Sequence, residues 1–146
     1  MLIKEVTYKD FNGMEHKDIL HFHLSKSRVL LTDEEKYNKV LTLAKELQDK
    51  ATEVDSVKVD TTDDFNPFDP KMQVVANAAR TMVQLLDLMV DLSYGLRSED
   101  GSRFIQNEKV LEQFKSSAAY DQLIQDFINN PNDMLAFIES LNKTAN

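Results

Sequence analysis

His21 and His23 are separated by one residue in a stretch rich in strand formers, so both imidazoles project from one face. That spacing suits a zinc or copper ion, and His16 is close in sequence. A closed site needs a third and usually a fourth ligand, and the chain has no cysteine to supply one. Solvent-facing strand histidines are the simpler reading. Asp87 and Asp91 stand one helical turn apart and share a face. Di-metal bundles combine such carboxylates with Glu-x-x-His motifs on other helices, and this chain contains no such motif. A solvated stripe is the simpler reading again. Ser98-Glu99-Asp100-Gly101 invites comparison with a calcium loop, which alternates oxygen ligands over twelve residues and ends in Glu. Arg103 and Phe104 fall within that span, and Asp-Gly is a strong turn pair. No glycine-rich phosphate loop is present. All three histidines lie in the first 23 residues, which leaves a Ser/His/Asp arrangement without support. The expectation is a protein with no enzymatic activity, no cofactor and no metal.

Composition narrows the partners. The 146 residues suit one domain with a modest core, and the apolar fraction of 42% is too high for a disordered chain. A net charge of −8 opposes binding to nucleic acid or to an anionic membrane, since both need a cationic footprint. The absence of cysteine excludes a disulfide framework and fits a cytoplasmic address. The opening MLIKEVTYKD has no long apolar run, so no signal peptide is expected. Met82 to Leu92 is the most apolar stretch and is too short to span a bilayer.

The elements that must position these residues follow from periodicity. Residues 1–25 read as a β-hairpin, with Ile3, Val6, Thr7 and Tyr8 facing Ile19, Leu20 and Phe22. Between them, Asp10-Phe11-Asn12-Gly13 fits either a two-residue type I′ loop or a type I turn with a bulge. Ser25 to Leu31 reads as a connector. Residues 32–54 read as an amphipathic helix, capped by Thr32 with Glu35. Its apolar stripe is Tyr37, Val40, Leu41, Ala44, Leu47, Ala51 and Val54. Residues 55–70 hold five aspartates and two prolines and read as an acidic linker or binding loop. Phe65 and Phe68 are large apolar groups in that loop: either they fold back onto the bundle or they meet a partner.

Residues 71–93 form a helix apolar nearly all round, which places it centrally. Gly95 suits a left-handed cap at its end. Asp100-Gly101 reverses the chain, Phe104 and Ile105 anchor the next segment in the core, and Arg97 or Arg103 can pair with Glu99 or Asp100. Asn107, Ser116 or Ser117, and Asn130-Pro131 then open three further helices. Their apolar faces carry Val110, Leu111 and Phe114, then Tyr120, Leu123, Ile124, Phe127 and Ile128, then Met134, Phe137, Ile138 and Leu141. Met72, Met82, Met89 and Met134 suit an adaptable groove or simple core packing. The fold class is α+β, mostly α: an N-terminal hairpin followed by about five helices, with 71–146 forming a helical bundle within a single domain, 1–146.

One block is dense in specific residues: Ser93-Tyr94-Gly95, Ser98-Glu99-Asp100-Gly101, Arg103-Phe104-Ile105, then Phe114, Ala119-Tyr120, Leu123 and Phe137-Ile138. With Val6-Thr7-Tyr8, Asp10-Phe11-Asn12-Gly13 and Phe22-His23-Leu24-Ser25-Lys26, it resembles the tail assembly chaperones of long-tailed phages and prophages of Gram-positive bacteria. Tyr94, Gly95, Asp100, Gly101, Phe104 and Tyr120 are the structural signature of that likeness. The resemblance implies N-terminal strands plus helices. It implies a protein that binds the tape measure protein, keeps it soluble and helps tail tube protein polymerise around it. Such a protein acts in the bacterial host cytoplasm and is absent from the mature virion. The competing expectation is a structural minor tail or connector component of the particle.

Overall fold

The computed structural model describes residues 1–56, 66 and 68–144. They group into two compact units: Met1–Leu31 with Met89–Asn146, and Thr32–Leu88.

The first unit is built on a four-stranded antiparallel sheet whose strands, Leu2–Lys9 (β1), Glu15–Phe22 (β2), Tyr94–Arg97 (β3) and Phe104–Ile105 (β4), lie side by side in chain order. Strands β1 (Leu2–Lys9) and β2 (Glu15–Phe22) pair without interruption from Leu2↔Phe22 to Lys9↔Glu15. The turn between them resolves the two sequence alternatives. The Gly13 N–H donates to Asp10 O (2.9 Å) and the Asp10 N–H to Met14 O (2.8 Å). Gly13 alone in this turn has positive φ, at 83°. A type I′ loop needs positive φ at both central residues, so this is the type I turn with a bulge. Asp10 Oδ1 accepts from the Asn12 and Met14 N–H groups, which pins the loop.

The sheet has two strands more than the sequence reading anticipates. β3 (Tyr94–Arg97) continues directly from a helix, and β4 (Phe104–Ile105) returns antiparallel to it. Gly95 is therefore not a left-handed cap. It lies in β3 opposite His21, and among the described residues only Gly13 and Gly101 have positive φ. Its lack of a side chain serves a different need. A Cβ there would lie 2.7 Å from Ile105 O and 2.9 Å from Phe104 Cε1, so β4 can approach only because position 95 is glycine.

Helix α1 (Lys26–Leu31) occupies the stretch read as a connector. Helices α4 (Glu108–Lys115), α5 (Ala118–Asn129) and α6 (Pro131–Thr144) start at the positions their capping residues indicate. Asn107 accepts from the Val110 N–H at 2.8 Å, and Ser117 from the Tyr120 N–H at 3.2 Å. α5 and α6 pack against β1. Val6, Leu20, Phe22, Leu123, Phe127, Met134, Phe137 and Leu141 are buried in this unit. Each such side chain contributes about 1.5–3 kcal/mol by leaving water. An aromatic chain runs through it: Phe127 to Phe137 to Phe22 to Tyr94 to Phe114 to Tyr120, with centroid separations from 3.9 to 5.7 Å.

The second unit contains α2 (Glu34–Ser56), a 3-10 turn at Pro70–Met72, and most of α3 (Gln73–Ser93). The cap of α2 is Asp33, not Thr32: its carboxylate accepts from the Lys36 N–H at 2.8 Å. The buried stripe of α2 is also rotated from the expected one. Leu43 is buried, whereas Tyr37 and Leu41 are exposed. The side chains of Ala51 and Val54 lie outside the described residues. On α3, Val75, Ala76, Met82, Leu85 and Leu86 are buried in this unit and Met89, Val90 and Leu92 in the first, on one broad face, while Val74 is exposed.

Candidate interaction surface

The signature block folds into the β3–β4 hairpin and the aromatic cluster beside it. Tyr94 is buried and stacks on Phe114 at 3.9 Å. Burial, aided by the negative charge of Asp18, raises its phenol above the ordinary range. Tyr120 meets the same Phe114 edge-on. At the tip, the Gly101 N–H donates to Ser98 O (3.0 Å) and the Ser98 N–H to Arg103 O (2.9 Å), with Gly101 at φ +75°. The expected chain reversal is thus present; it shares the positive-φ glycine of the first turn but closes one residue wider, at Ser98 and Arg103 instead of Asp10 and Met14.

Asp100 organises this tip through serines rather than arginines. It accepts from the Ser102 N–H (3.0 Å) and from the Ser98 and Ser102 hydroxyls (2.7 and 2.8 Å). These donors, the Ser102 N–H foremost, hold its carboxyl down at about 2. Among the described residues, no ion pair joins Arg97 or Arg103 to Glu99 or Asp100. Phe104 is half-buried, its ring edge-on to His23 at 6.1 Å, and Ile105 is exposed at the sheet margin. These two residues therefore line the sheet instead of entering the core, because β4 is an edge strand.

Two side chains that the sequence reading passes over tie α1 to this hairpin. Arg28 donates to Gln106 Oε1 (2.5 Å) and to Phe104 O (3.2 Å). The Gln106 amide in turn donates to Tyr94 O at 3.0 Å. This linkage joins residues 78 apart, and no local pattern announces it. On the same helix Leu30 and Leu31 are 85% and 84% exposed. Beside them Leu24, Lys26, Val29 and Leu30 line an open depression of roughly 350 Å3. Adjacent exposed leucines on a short anchored helix form an apolar surface that contact with another molecule can cover. Phe68 is 89% exposed, its N–H donating to Asn66 Oδ1. Phe65 and most of the acidic stretch 55–70 lie outside the described residues.

The candidate ligands do not converge. His16 sits on the opposite sheet face from His21 and His23, where it pairs with Asp10 at 2.7 Å and stacks on Tyr8. That contact is the largest cause lowering the Asp10 carboxyl. His21 is held below its ordinary value by burial and then by the charge of Arg97. His23 Nδ1 is buried without a hydrogen-bond partner among the described residues. Asp91 is not part of a solvated stripe: it pairs with Lys115 at 2.5 Å, and the two side chains are only 16% and 26% exposed. Among the described residues, no group of three or more potential metal ligands occurs. Nor is any helix there long and apolar enough to cross a membrane.

These features define a mostly helical α+β protein with an N-terminal antiparallel sheet. Comparison with family models matches residues 1–142 to the phage tail assembly chaperones, and the chain belongs to that family. No curated protein and no solved structure matches it.

Proposed function

We propose that the protein binds the tape measure protein of a long-tailed phage of Gram-positive bacteria. It keeps that chain soluble and promotes tail tube assembly around it, without catalysis, in the host cytoplasm. The observation that carries this reading is the anchored apolar surface of α1, Leu30 and Leu31, on a chain with a net charge of −8. A tape measure protein is long and helical, with apolar stripes that aggregate when uncovered. Exposed leucines match such a stripe as a helix-to-helix contact, and the surplus of carboxylates keeps the complex in solution. Phe68 supplies a second apolar contact, and Phe65 belongs to the same acidic stretch.

The test is co-expression with the tape measure protein of the same phage, followed by affinity capture. A soluble complex that is lost in a folded Leu30→Asp/Leu31→Asp variant supports the reading. Precipitation of the tape measure protein beside a chain that purifies alone overturns it. Finding the chain in purified particles favours a structural tail or connector component instead.

A further inference from the structure

The open edge of β1 has the form of a site for a second copy of this chain. β1 ends the sheet order. It is eight residues long, contains no proline and has no bulge. The Asp10 N–H bonds to Met14 O across the hairpin, so by alternation the even residues of β1 bond to β2. The odd residues, Ile3, Glu5, Thr7 and Lys9, present their N–H and C=O groups to the outside. Among the described residues, no backbone hydrogen bond occupies those groups. All four odd side chains are exposed, while α5 and α6 pack against the strand from the face that buries Val6.

A long regular edge is a template for pairing, and folded proteins usually interrupt it. Here the charges choose a register instead. We infer that β1 pairs antiparallel with β1 of a second copy, centred on Thr7. Thr7 then faces Thr7, and Glu5 faces Lys9 twice by symmetry. Val6 faces Tyr8, and Lys4 faces Asp10. The outward-pointing odd residues fall opposite one another, as the hydrogen-bonded positions of an antiparallel ladder require. Centring the pair on Glu5 opposes two carboxylates, and centring it on Val6 leaves Glu5 against Thr7 and Lys9 against Ile3. The two hairpins would merge into one continuous sheet with an isologous interface. This inference is independent of what α1 binds.

Sedimentation velocity of the full chain over a concentration series tests it, with folding checked by far-UV circular dichroism. The expected result is a monomer–dimer equilibrium. Thr7→Pro removes an N–H that the β1–β2 ladder does not use and abolishes the dimer. Lys9→Glu sets Glu against Glu at two symmetric positions and weakens association by about tenfold. The double variant Glu5→Lys/Lys9→Glu restores it when made with Lys17→Glu, since Glu5 pairs with Lys17 across its own hairpin at 3.0 Å. If Thr7→Pro fails to fold, the charge reversal and its restoration decide alone. A chain that stays monomeric throughout overturns the inference. So does a dimer that Lys9→Glu leaves unchanged or the combined variant does not restore, since it uses another surface.

Discussion

Replacing Gly95 by alanine adds one methyl group at the point where β4 crosses β3. The new Cβ would stand 2.7 Å from Ile105 O, 2.8 Å from Gln106 Cγ and 2.9 Å from Phe104 Cε1. The nearest of these is backbone, so relief requires β4 itself to retreat, by about 0.7 Å to reach the ordinary contact limit of 3.4 Å. The β3–β4 ladder is only two residue pairs long, Leu96↔Ile105 and Arg97↔Phe104, and has little reserve. Overpacking strain costs about 1–3 kcal/mol. Displacing Gln106 also breaks its bond to Tyr94 O, worth about 1 kcal/mol. The expected destabilisation is therefore about 2–4 kcal/mol, and each kcal/mol lowers Tm by roughly 2–8 °C in a chain of this size. Gly101→Ala is the control. Nothing lies within 4 Å of its Cβ position, so its cost is the left-handed backbone alone, about 1–2 kcal/mol. Thermal melts followed by circular dichroism should rank wild type above Gly101→Ala above Gly95→Ala. A Gly95→Ala protein as stable as the Gly101 variant would refute the close-approach reasoning.

Three further outcomes are expected. Leu123 is fully buried, so Leu123→Ala should lose about 2–5 kcal/mol in urea unfolding at unchanged m-value. Asp91→Asn removes the carboxylate that Lys115 faces at a largely buried site and should cost about 1–3 kcal/mol. The double variant Asp91→Leu/Lys115→Met should recover most of that loss in the same measurement. The Ser102 N–H and the Ser98 and Ser102 hydroxyls hold the Asp100 carboxyl down at about 2 in the folded state, below the ordinary aspartate value. A depressed folded pKa gives stability that is present above the unfolded value and lost as pH falls through the folded one. Carboxyl-carbon NMR should place the Asp100 midpoint near 2, and Asp100→Asn should flatten the stability profile between pH 4 and 2.

Features written in local pattern were legible from the sequence. The caps at Asn107 and Ser117 and the start at Pro131 stand where residue type places them. α3 is legible as a helix because its apolar residues run over six turns. Shorter or non-local features were not legible. α1 has six residues, too few for a periodic face to show. Gly95 after a long helix obeys the rule for a cap, yet a strand that arrives ten residues later decides its role. Lys115 is 24 residues from Asp91, so nothing near Asp91 distinguishes a paired carboxylate from a solvated one. On α2 the stripe through Leu41 fits an amphipathic period, but packing buries Leu43 instead, a selection that periodicity does not contain.

The amide of Gln106 has a thermodynamic consequence. Its oxygen takes Arg28 of α1 and its nitrogen holds the start of β3, so one side chain is shared by a surface helix and a two-pair ladder. Order in the two is therefore linked, and linkage is reciprocal. A ligand that immobilises α1 lowers the entropy still to be lost in closing β4. Amide hydrogen exchange at Phe104 and Ile105 then slows. Conversely, loosening the hairpin at Gly95 weakens whatever α1 holds. Gln106 thus acts as a tension member: it governs how firmly the apolar surface of α1 is held beside the hairpin.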